Sequence, residues 1–166
     1  MIKTPGYGSN CGASCVSSCG KVWERQGDRC YYFSSGELSW FEAEKWCQRS
    51  LGGKLASVTD EDGYNLISSK QIQRWIGGIS EPGNDTWVWT DCSPCGFTRW
   101  QGGEPKSEAP DGPDKEKCAV HNAHHDKKWA VEPCTAKKRF VCSMTVCPGK
   151  TQSNRFYITV IMLVSR

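Results

Sequence analysis

The stretch SWFEAEKWC, residues 39–47, has the pattern of an amphipathic helix that begins with a cap and carries a cysteine. Ser39 is a preferred capping residue, and Glu42 three positions on completes a capping box. The apolar side chains at i, i+3 and i+7 are those of Trp40, Ala43 and Cys47. Gly52 and Gly53 favour a helix end. We therefore predict a helix that starts after Ser39 and ends before Gly52.

Further elements follow on both sides of this helix. CYYF, residues 30–33, has strand character, and LASV, residues 55–58, reads as another short strand. Thr59 and Asp62 form a second capping signal, which opens a helix through Ile67. The later strand-like pieces are RWIGGIS (74–80), WVWT (87–90), CAVHN (118–122), KKWAV (127–131) and RFVC (139–142). Two helices followed by an antiparallel sheet predict an α+β fold.

A long loop, residues 91–117, separates two of these strand-like pieces, and residues 92–117 are its candidate binding face. Its second half, GGEPKSEAPDGPDKEKC at residues 102–118, contains five carboxylates, three prolines and three glycines. Loops of this length inside compact domains are usually functional or disordered. The acids could form an oxygen-rich cage for calcium. The alternative is a solvated acidic surface loop.

The cysteine content indicates the compartment. Eleven cysteines in 166 residues are far above ordinary cytosolic usage. Disulfides persist in oxidising compartments, so we expect a secreted or cell-surface protein. Zinc ribbons need paired CxxC motifs, and only one such motif occurs, Cys92-Ser93-Pro94-Cys95. An odd number of cysteines leaves at least one free or bridged to another chain.

Several functional classes lack support in the sequence. Twenty-one basic and eighteen acidic residues are interspersed, giving a formal net charge of +3 and no basic stripe for nucleic acid. No nucleophile elbow, glycine-rich phosphate loop or other nucleophile–base pattern is present, so we do not expect an enzyme. Asn84 begins an N-glycosylation sequon, Asn84-Asp85-Thr86, which is consistent with secretion.

Histidines cluster in HNAHHD, residues 121–126. His121, His124, His125 and Asp126 are zinc-ligand types. The segment follows a strand-like piece and precedes Trp129, however, which indicates a hairpin turn whose side chains diverge. Exposed turn histidines are the preferred interpretation, and they would make surface binding weakly dependent on pH between 5 and 8.

The two ends of the chain differ from the middle. Residues 1–18 form an irregular leader rich in Cys, Gly and Ser, and MIKTPGYGSNCGASC has no apolar segment typical of a signal peptide. Residues 144–166 are interpreted as a C-terminal tail. Its apolar stretch FYITVIMLV, residues 156–164, is too short to span a bilayer, and we expect an edge strand or a poorly ordered tail.

The motifs between Cys19 and Cys142 resemble, in their order, those of the C-type lectin-like domain family. They are CYYF, WFEAEKWC, LASV, WIGG at 75–78, WVWTD at 87–91, Glu104-Pro105 and WAVEPC at 129–134. The resemblance implies a disulfide-stabilised α+β domain at residues 19–143, of the long form with an N-terminal hairpin. It also implies that the tryptophans Trp40, Trp75, Trp87 and Trp129 lie in the core.

The same resemblance implies a disulfide map. The implied pairs are Cys47–Cys142, Cys118–Cys134 and Cys19–Cys30. Cys92 and Cys95 could pair locally across the Ser-Pro turn. Cys11, Cys15 and Cys147 remain, and pairing of two would leave one for a bridge to another chain.

Sugar-binding members of this family build their principal calcium site from Glu-Pro-Asn or Gln-Pro-Asp, a Glu two residues before a core cysteine, and Trp-Asn-Asp. Glu104 and Glu116 match two of these ligand positions. Lys106, Ala130 and Val131 occupy the other three. An ammonium group repels calcium, and Lys106 could neutralise Glu104 and Glu116 directly. We therefore predict that the principal calcium site is lost, with Glu104 and Glu116 as vestigial ligands and no cofactor.

These observations predict an extracellular recognition module that binds a glycan or a protein through the face formed by the long loop. The candidate contact residues are Arg99, Gln101, Glu104, Lys106 and Glu116. One alternative is a calcium-dependent carbohydrate-binding lectin with a rearranged site. Ice binding, known in some fish members, ranks low because it needs a flat, rather apolar surface. A disulfide-linked subunit of a larger secreted assembly is also consistent with the odd cysteine.

Overall fold

The computed structural model describes residue 11, residues 14–83 and residues 85–148. Its helices are α1 (Trp40–Leu51) and α2 (Glu61–Ser68). Its strands are β1 (Cys15–Val16), β2 (Glu24–Gln26), β3 (Arg29–Phe33), β4 (Lys54–Leu55), β5 (Arg74–Ser80), β6 (Val88–Trp89), β7 (Lys117–His121), β8 (Trp129–Pro133) and β9 (Arg139–Val146). The α+β class is confirmed.

Strand β9 is the centre of the sheet. The main path runs β2-β3-β9-β5-β7-β8, while β1 and β4 also pair with β9 and β6 pairs with β5. The sheet is mixed, whereas the sequence predicted an antiparallel one, because β1 and β5 each run parallel to β9. Strand β9 reaches β5 only after β6, β7 and β8, and a connection of that length permits a parallel pair.

The capping prediction for α1 is confirmed. The Glu42 carboxylate accepts hydrogen bonds from the Ser39 backbone N–H at 3.0 Å and from the Ser39 hydroxyl at 2.8 Å. Gly52 ends the helix with φ 70°, a left-handed conformation that glycine adopts without steric cost. The cap predicted for α2 is wrong. Asp60 caps that helix instead of Thr59, since the Asp60 carboxylate accepts from the Gly63 N–H at 2.8 Å.

The strand predicted at residues 55–58 is shorter than expected, since β4 ends at Leu55. Ala56 nevertheless connects two strands: its N–H donates to the Val141 carbonyl at 2.8 Å, and its carbonyl accepts from the Gly77 N–H at 2.8 Å. A Cβ on Gly77 would lie 2.5 Å from the Leu55 carbonyl oxygen. The glycine in WIGG is therefore required by the close approach of β4 to β5.

Large buried indoles fill the core between the helices and the sheet. Trp40, Trp75 and Trp129 are almost completely buried. The Trp40 Nε1–H donates to the Ile76 carbonyl at 2.8 Å, and the Trp75 Nε1–H donates to the Leu38 carbonyl at 3.1 Å. Both indoles thus have their polar atom satisfied inside the protein. Trp87 is only half-buried, so its assignment to the core holds in part.

Five disulfides cross-link the fold. Three confirm the implied map: Cys47–Cys142, Cys118–Cys134 and Cys19–Cys30. The remaining two are Cys15–Cys147 and Cys11–Cys92. All eleven cysteines lie in the described part of the chain, and Cys95 is an exposed free thiol.

The local Cys92–Cys95 pair is therefore wrong, and the reason is tertiary. The Cα atoms of Cys11 and Cys92 lie 5.7 Å apart, although the two residues are separated by 81 positions in the sequence. The Cys95 thiol instead donates to the Trp87 carbonyl at 3.3 Å. Spacing alone favours a pair within a turn, whereas the fold decides which Cβ atoms face each other.

Two strands extend beyond the predicted borders of the domain at residues 19 and 143. Strand β1 lies inside the predicted leader, and β9 extends to Val146, three residues beyond the border at residue 143. The apolar stretch 156–164 and the sequon residue Asn84 lie outside the described residues. Among the residues that are described, neither helix has the length and hydropathy needed to cross a bilayer.

Candidate binding face at the long loop

The start of the long loop is fastened to the sheet by a polar network. Asp91 and Arg29 of β3 form an ion pair with 3.3 Å between Oδ2 and Nη1. The other guanidinium nitrogen of Arg29 donates to the Ser93 hydroxyl at 2.8 Å. The Ser93 N–H in turn donates to the Asp91 carboxylate at 2.9 Å. Because these groups are partly shielded from water, they fix where the loop leaves the sheet.

The middle of the loop lies along strand β8. The Trp129 N–H donates to the Arg99 carbonyl at 2.8 Å, and the Gln101 N–H donates to the Trp129 carbonyl at 2.9 Å. Trp100 and Trp129 form a parallel bridge between these bonds. Residues 99–101 therefore extend the sheet at its β8 edge, which gives this part of the loop a defined backbone.

The Arg99 side chain is turned toward helix α2. Its guanidinium pairs with the Glu61 carboxylate in the first turn of that helix. The guanidinium carbon also lies 4.2 Å from the centre of the Phe97 ring and 5.4 Å from that of Tyr64, in cation–π geometry. Arg99 thus holds the loop to α2, although its side chain remains about one third exposed.

Glu104 forms the third attachment. Its carboxylate is only 7% exposed. The Oε2 atom accepts from the backbone N–H of Val131 at 3.1 Å and from that of Lys106 at 3.1 Å. The Lys106 ammonium, which is on a 60% exposed side chain, lies 3.8 Å from Oε1. The carboxylate at a family calcium-ligand position is therefore engaged by donors of the protein itself.

The other acidic residues of the loop are not gathered around Glu104. Glu116 is half-buried and forms no ion pair in the part of the chain that is described, so the predicted contact with Lys106 is seen for Glu104 alone. Glu108, Asp111 and Asp114 are exposed. Within the described ranges, no three His, Cys, Asp or Glu side chains are grouped as metal ligands would be.

The histidine cluster is divided by the end of strand β7. His121 is the last residue of that strand, and its side chain is 1% exposed, so the prediction of an exposed turn histidine is wrong at this position. Its Nε2 atom lies 3.3 Å from the Ser68 hydroxyl of α2, and its ring meets Tyr64 edge to face. Burial lowers the pKa of His121 to about 4. His124 and His125 lie in the exposed turn.

Aromatic rings form the floor beneath the loop. Trp87 and Trp100 are half-buried with their ring centres 4.7 Å apart, and Trp100 meets Trp129 edge to face at 5.6 Å. A cavity of about 40 Å³ lies between these rings and Cys95. The aromatic side chains of the loop are thereby directed inward, whereas the charged side chains of Lys106, Glu108, Asp111 and Asp114 are exposed.

Sequence reasoning identified Glu104 and Lys106 as neighbours but missed the groups that hold the loop. Glu61, Arg29 and the Val131 N–H come from distant parts of the chain and belong to no motif of the loop. The aspartate of WVWTD was the available signal for the Arg29 contact. No sequence signal pointed to Glu61.

Comparisons with known proteins agree with this architecture. The family model described as the lectin C-type domain matches residues 36–144. The galactose-specific lectin nattectin of Thalassophryne nattereri is 32% identical over 145 residues, which cover 83% of this chain and 87% of nattectin. The type-2 ice-structuring protein of Hemitripterus americanus is 33% identical over 129 residues, or 77% and 76% of the two chains.

A solved structure is similar as well. The crystal structure of a calcium-independent type II antifreeze protein superposes with a TM-score of 0.69 at 29% identity. The superposition covers 77% of this chain and 95% of the antifreeze protein.

Proposed function

Since this chain belongs to the C-type lectin domain family, we propose that it is an extracellular recognition module that binds a glycan or a protein through its long loop, without calcium at the principal site. The proposed role is binding, not catalysis. Five disulfides support an oxidising, extracellular location, where such cross-links persist.

The state of Glu104 is the observation that carries the proposal. A calcium ion needs six to eight oxygen ligands with free lone pairs. The Glu104 carboxylate already accepts two backbone hydrogen bonds and faces the Lys106 ammonium. Calcium binding at this point would have to displace a cation and break these bonds. Neither Ala130 nor Val131 supplies a side-chain oxygen in return.

The loop has the properties of a recognition surface. It is held at Asp91, Arg99, Gln101 and Glu104, so little conformational entropy is lost when a ligand binds. Lys106 is exposed, and so is the nearby acid Glu108. Together they offer hydrogen-bond donors and acceptors to the hydroxyl groups of a glycan or to a charged protein surface. Arg99 has a smaller role than the sequence implied, because Glu61 already engages it.

The test is binding of the whole chain to a glycan array and to extracellular proteins, with millimolar calcium or with a chelator. Galactose-terminated glycans come first, because nattectin is named as galactose-specific. We expect equal binding in both conditions and weaker binding by Lys106→Ala and Gln101→Ala. Lys45→Ala, an exposed lysine on α1, is the matched control. Binding that disappears with the chelator would favour a calcium-dependent lectin with a rearranged site.

Ice binding is the second candidate, because an ice-structuring protein and a calcium-independent antifreeze protein are among the similar proteins. The exposed side chains of the loop argue against it. Lys106, Glu108, Asp111 and Asp114 place exposed charges where ice binding needs a flat, regular, rather apolar surface. Thermal hysteresis of the purified chain decides between the two, and we expect none.

A further inference from the structure

Strand β7 begins with a buried lysine. The Lys117 side chain is 2% exposed, although lysine is among the residues least often found fully buried. A buried ammonium without partners would cost several kcal/mol, so this position is tolerated only if nearby oxygens replace its water. Cys118 follows at once and is tied to Cys134, which fixes the strand from which the side chain extends.

Two oxygens from separate loops surround the ammonium. The Lys117 Nζ atom donates to the Asp85 carboxylate at 2.8 Å and to the Ser107 carbonyl at 3.0 Å. Asp85 lies in the connection between β5 and β6, and Ser107 lies in the long loop. The Asp85 side chain is 79% exposed, so solvent reaches the carboxylate while the ammonium is shielded by the protein.

We propose that Lys117 is a positioning residue whose ammonium acts as a built-in cation and fixes residues 105–112 of the long loop against Asp85, which lies between β5 and β6. This inference rests on the proposed function of the loop as a binding face. A carboxylate and a backbone carbonyl are also the oxygen types that calcium prefers. Here a covalently attached positive charge bridges them, so the loop needs no metal to keep its shape at this point.

The contact at Ser107 also positions the residues that follow it in the loop. Ala109, two residues further on, is 7% exposed, and its carbonyl accepts from the Gly112 N–H at 3.1 Å. Fixing the Ser107 carbonyl therefore also fixes the turn at residues 109–112. The exposed acids Glu108 and Asp111 are carried by this turn, so Lys117 sets where the binding face presents its negative charge.

Hydrogen exchange of the Gly112 amide tests the proposal without any ligand. The variants are Lys117→Met, which keeps the apolar stem and removes the charge, Asp85→Asn, and the two combined. Lys115→Met is the matched control, because Lys115 is an exposed lysine two residues away. We expect the Gly112 amide to exchange about tenfold or more faster in each single variant, because charge-assisted hydrogen bonds are stronger than neutral ones and their loss lets the loop open more often. In the control its exchange rate should be unchanged.

A double-mutant cycle separates positioning through Asp85 from general packing. We expect the combined variant to exchange at about the rate of Lys117→Met alone, since the two residues share one interaction. If the two substitutions raise the exchange rate of the Gly112 amide by factors that multiply in the combined variant, the proposal is overturned. It is also overturned if this amide exchanges at the wild-type rate in Lys117→Met. Asp85→Asn alters a side chain that is 79% exposed, so we expect this variant to fold, and it tests the pair even where Lys117→Met does not fold.

Calcium provides a second readout. Gly112 exchange in the wild-type chain is expected to be the same with millimolar calcium and with a chelator. Slower exchange with calcium would show that a metal, not the ammonium, fixes the loop, and would overturn the inference. Because no ligand enters these measurements, a failure to find a glycan or protein partner would affect the proposed function alone.

Discussion

The carboxylate of Glu104 and the backbone N–H of Val131 are hydrogen-bonded at 3.1 Å, which joins the long loop to the middle of strand β8. The family resemblance implies that both positions carry calcium ligands in the sugar-binding members. Here the contact is made directly between the side chain of one residue and the backbone of the other. The loop is therefore attached to the sheet by the protein's own donors.

The first prediction concerns calcium. We expect no significant shift in the melting temperature of the wild-type chain between millimolar calcium and a chelator. The variant Lys106→Asn/Ala130→Asn/Val131→Asp restores the missing ligand types, and calcium should stabilise it by about 3 kcal/mol at a hundredfold excess over Kd. Thermal unfolding of both proteins in both conditions measures this.

Lys106→Asn alone is the control for the triple variant, because it removes the ammonium without restoring the oxygens near β8. It should remain insensitive to calcium. A clear calcium-dependent rise in the melting temperature of the wild-type chain would contradict the proposed loss of the principal site.

The second prediction concerns pH. His121 has a pKa of about 4 in the folded chain, against an ordinary value of 6.5, because its ring is desolvated and Arg74 adds positive charge nearby. Between these values the unfolded chain binds more protons, so the free energy of unfolding falls as pH decreases from 6.5 to 4. The loss amounts to about 3 kcal/mol, is complete near pH 4 and is absent above pH 6.5.

Urea unfolding at several pH values tests the contribution of His121. His121→Gln should lose this part of the pH dependence, although it will also lower stability at pH 7 because the ring packs against Tyr64. His124→Gln changes an exposed turn residue and should keep the wild-type slope. An unchanged slope in His121→Gln would assign the pH dependence to other groups.

The third prediction ranks two disulfides. Cys47–Cys142 spans 95 residues of sequence and Cys19–Cys30 spans 11. In the chain-entropy account, replacing both cysteines with alanine should cost about 5 kcal/mol for the long loop and about 3 kcal/mol for the short one. Urea denaturation of Cys47→Ala/Cys142→Ala and Cys19→Ala/Cys30→Ala gives the ranking. Equal losses would indicate that strain or residual structure outweighs loop entropy.

The fourth prediction concerns the free thiol. Alkylation of the native chain followed by peptide mapping should modify Cys95, because Cys11 and Cys92 are bonded to each other. Modification of Cys11 instead would show that Cys92 pairs with Cys95. If the chain forms a disulfide-linked assembly, its band on a non-reducing gel should disappear in Cys95→Ser and persist in Cys19→Ala/Cys30→Ala.

Local patterns predicted much of the fold. The capping box of α1 and its Gly52 end depend on residues within one or two turns, so they could be read from the sequence and were confirmed. The cap of α2 was misplaced by one residue, because Thr59 and Asp60 are both good capping residues and only packing chooses between them. The mixed sheet was missed because parallel pairing depends on the path of the chain.

The candidate site was predicted only in part. Glu104 and Lys106 are two residues apart, and their contact followed from sequence and charge. The second partner of Glu104, Val131, contributes a backbone N–H, and any residue except proline has that group. Lys117 was overlooked for a similar reason, since the sequence does not show that its side chain points inward toward Asp85 and Ser107.

The sequence by itself determined the helix α1, because capping chemistry depends on neighbouring residues. The order of its motifs established the resemblance to the family, and that resemblance implied three of the five disulfides. The tertiary structure decided the partners of Cys92, Glu104, Arg99 and Lys117. The contacts made with Cys11, Val131, Glu61, Asp85 and Ser107 join residues between 10 and 81 positions apart. Such contacts depend on the directions of side chains after packing, which spacing along the chain does not specify.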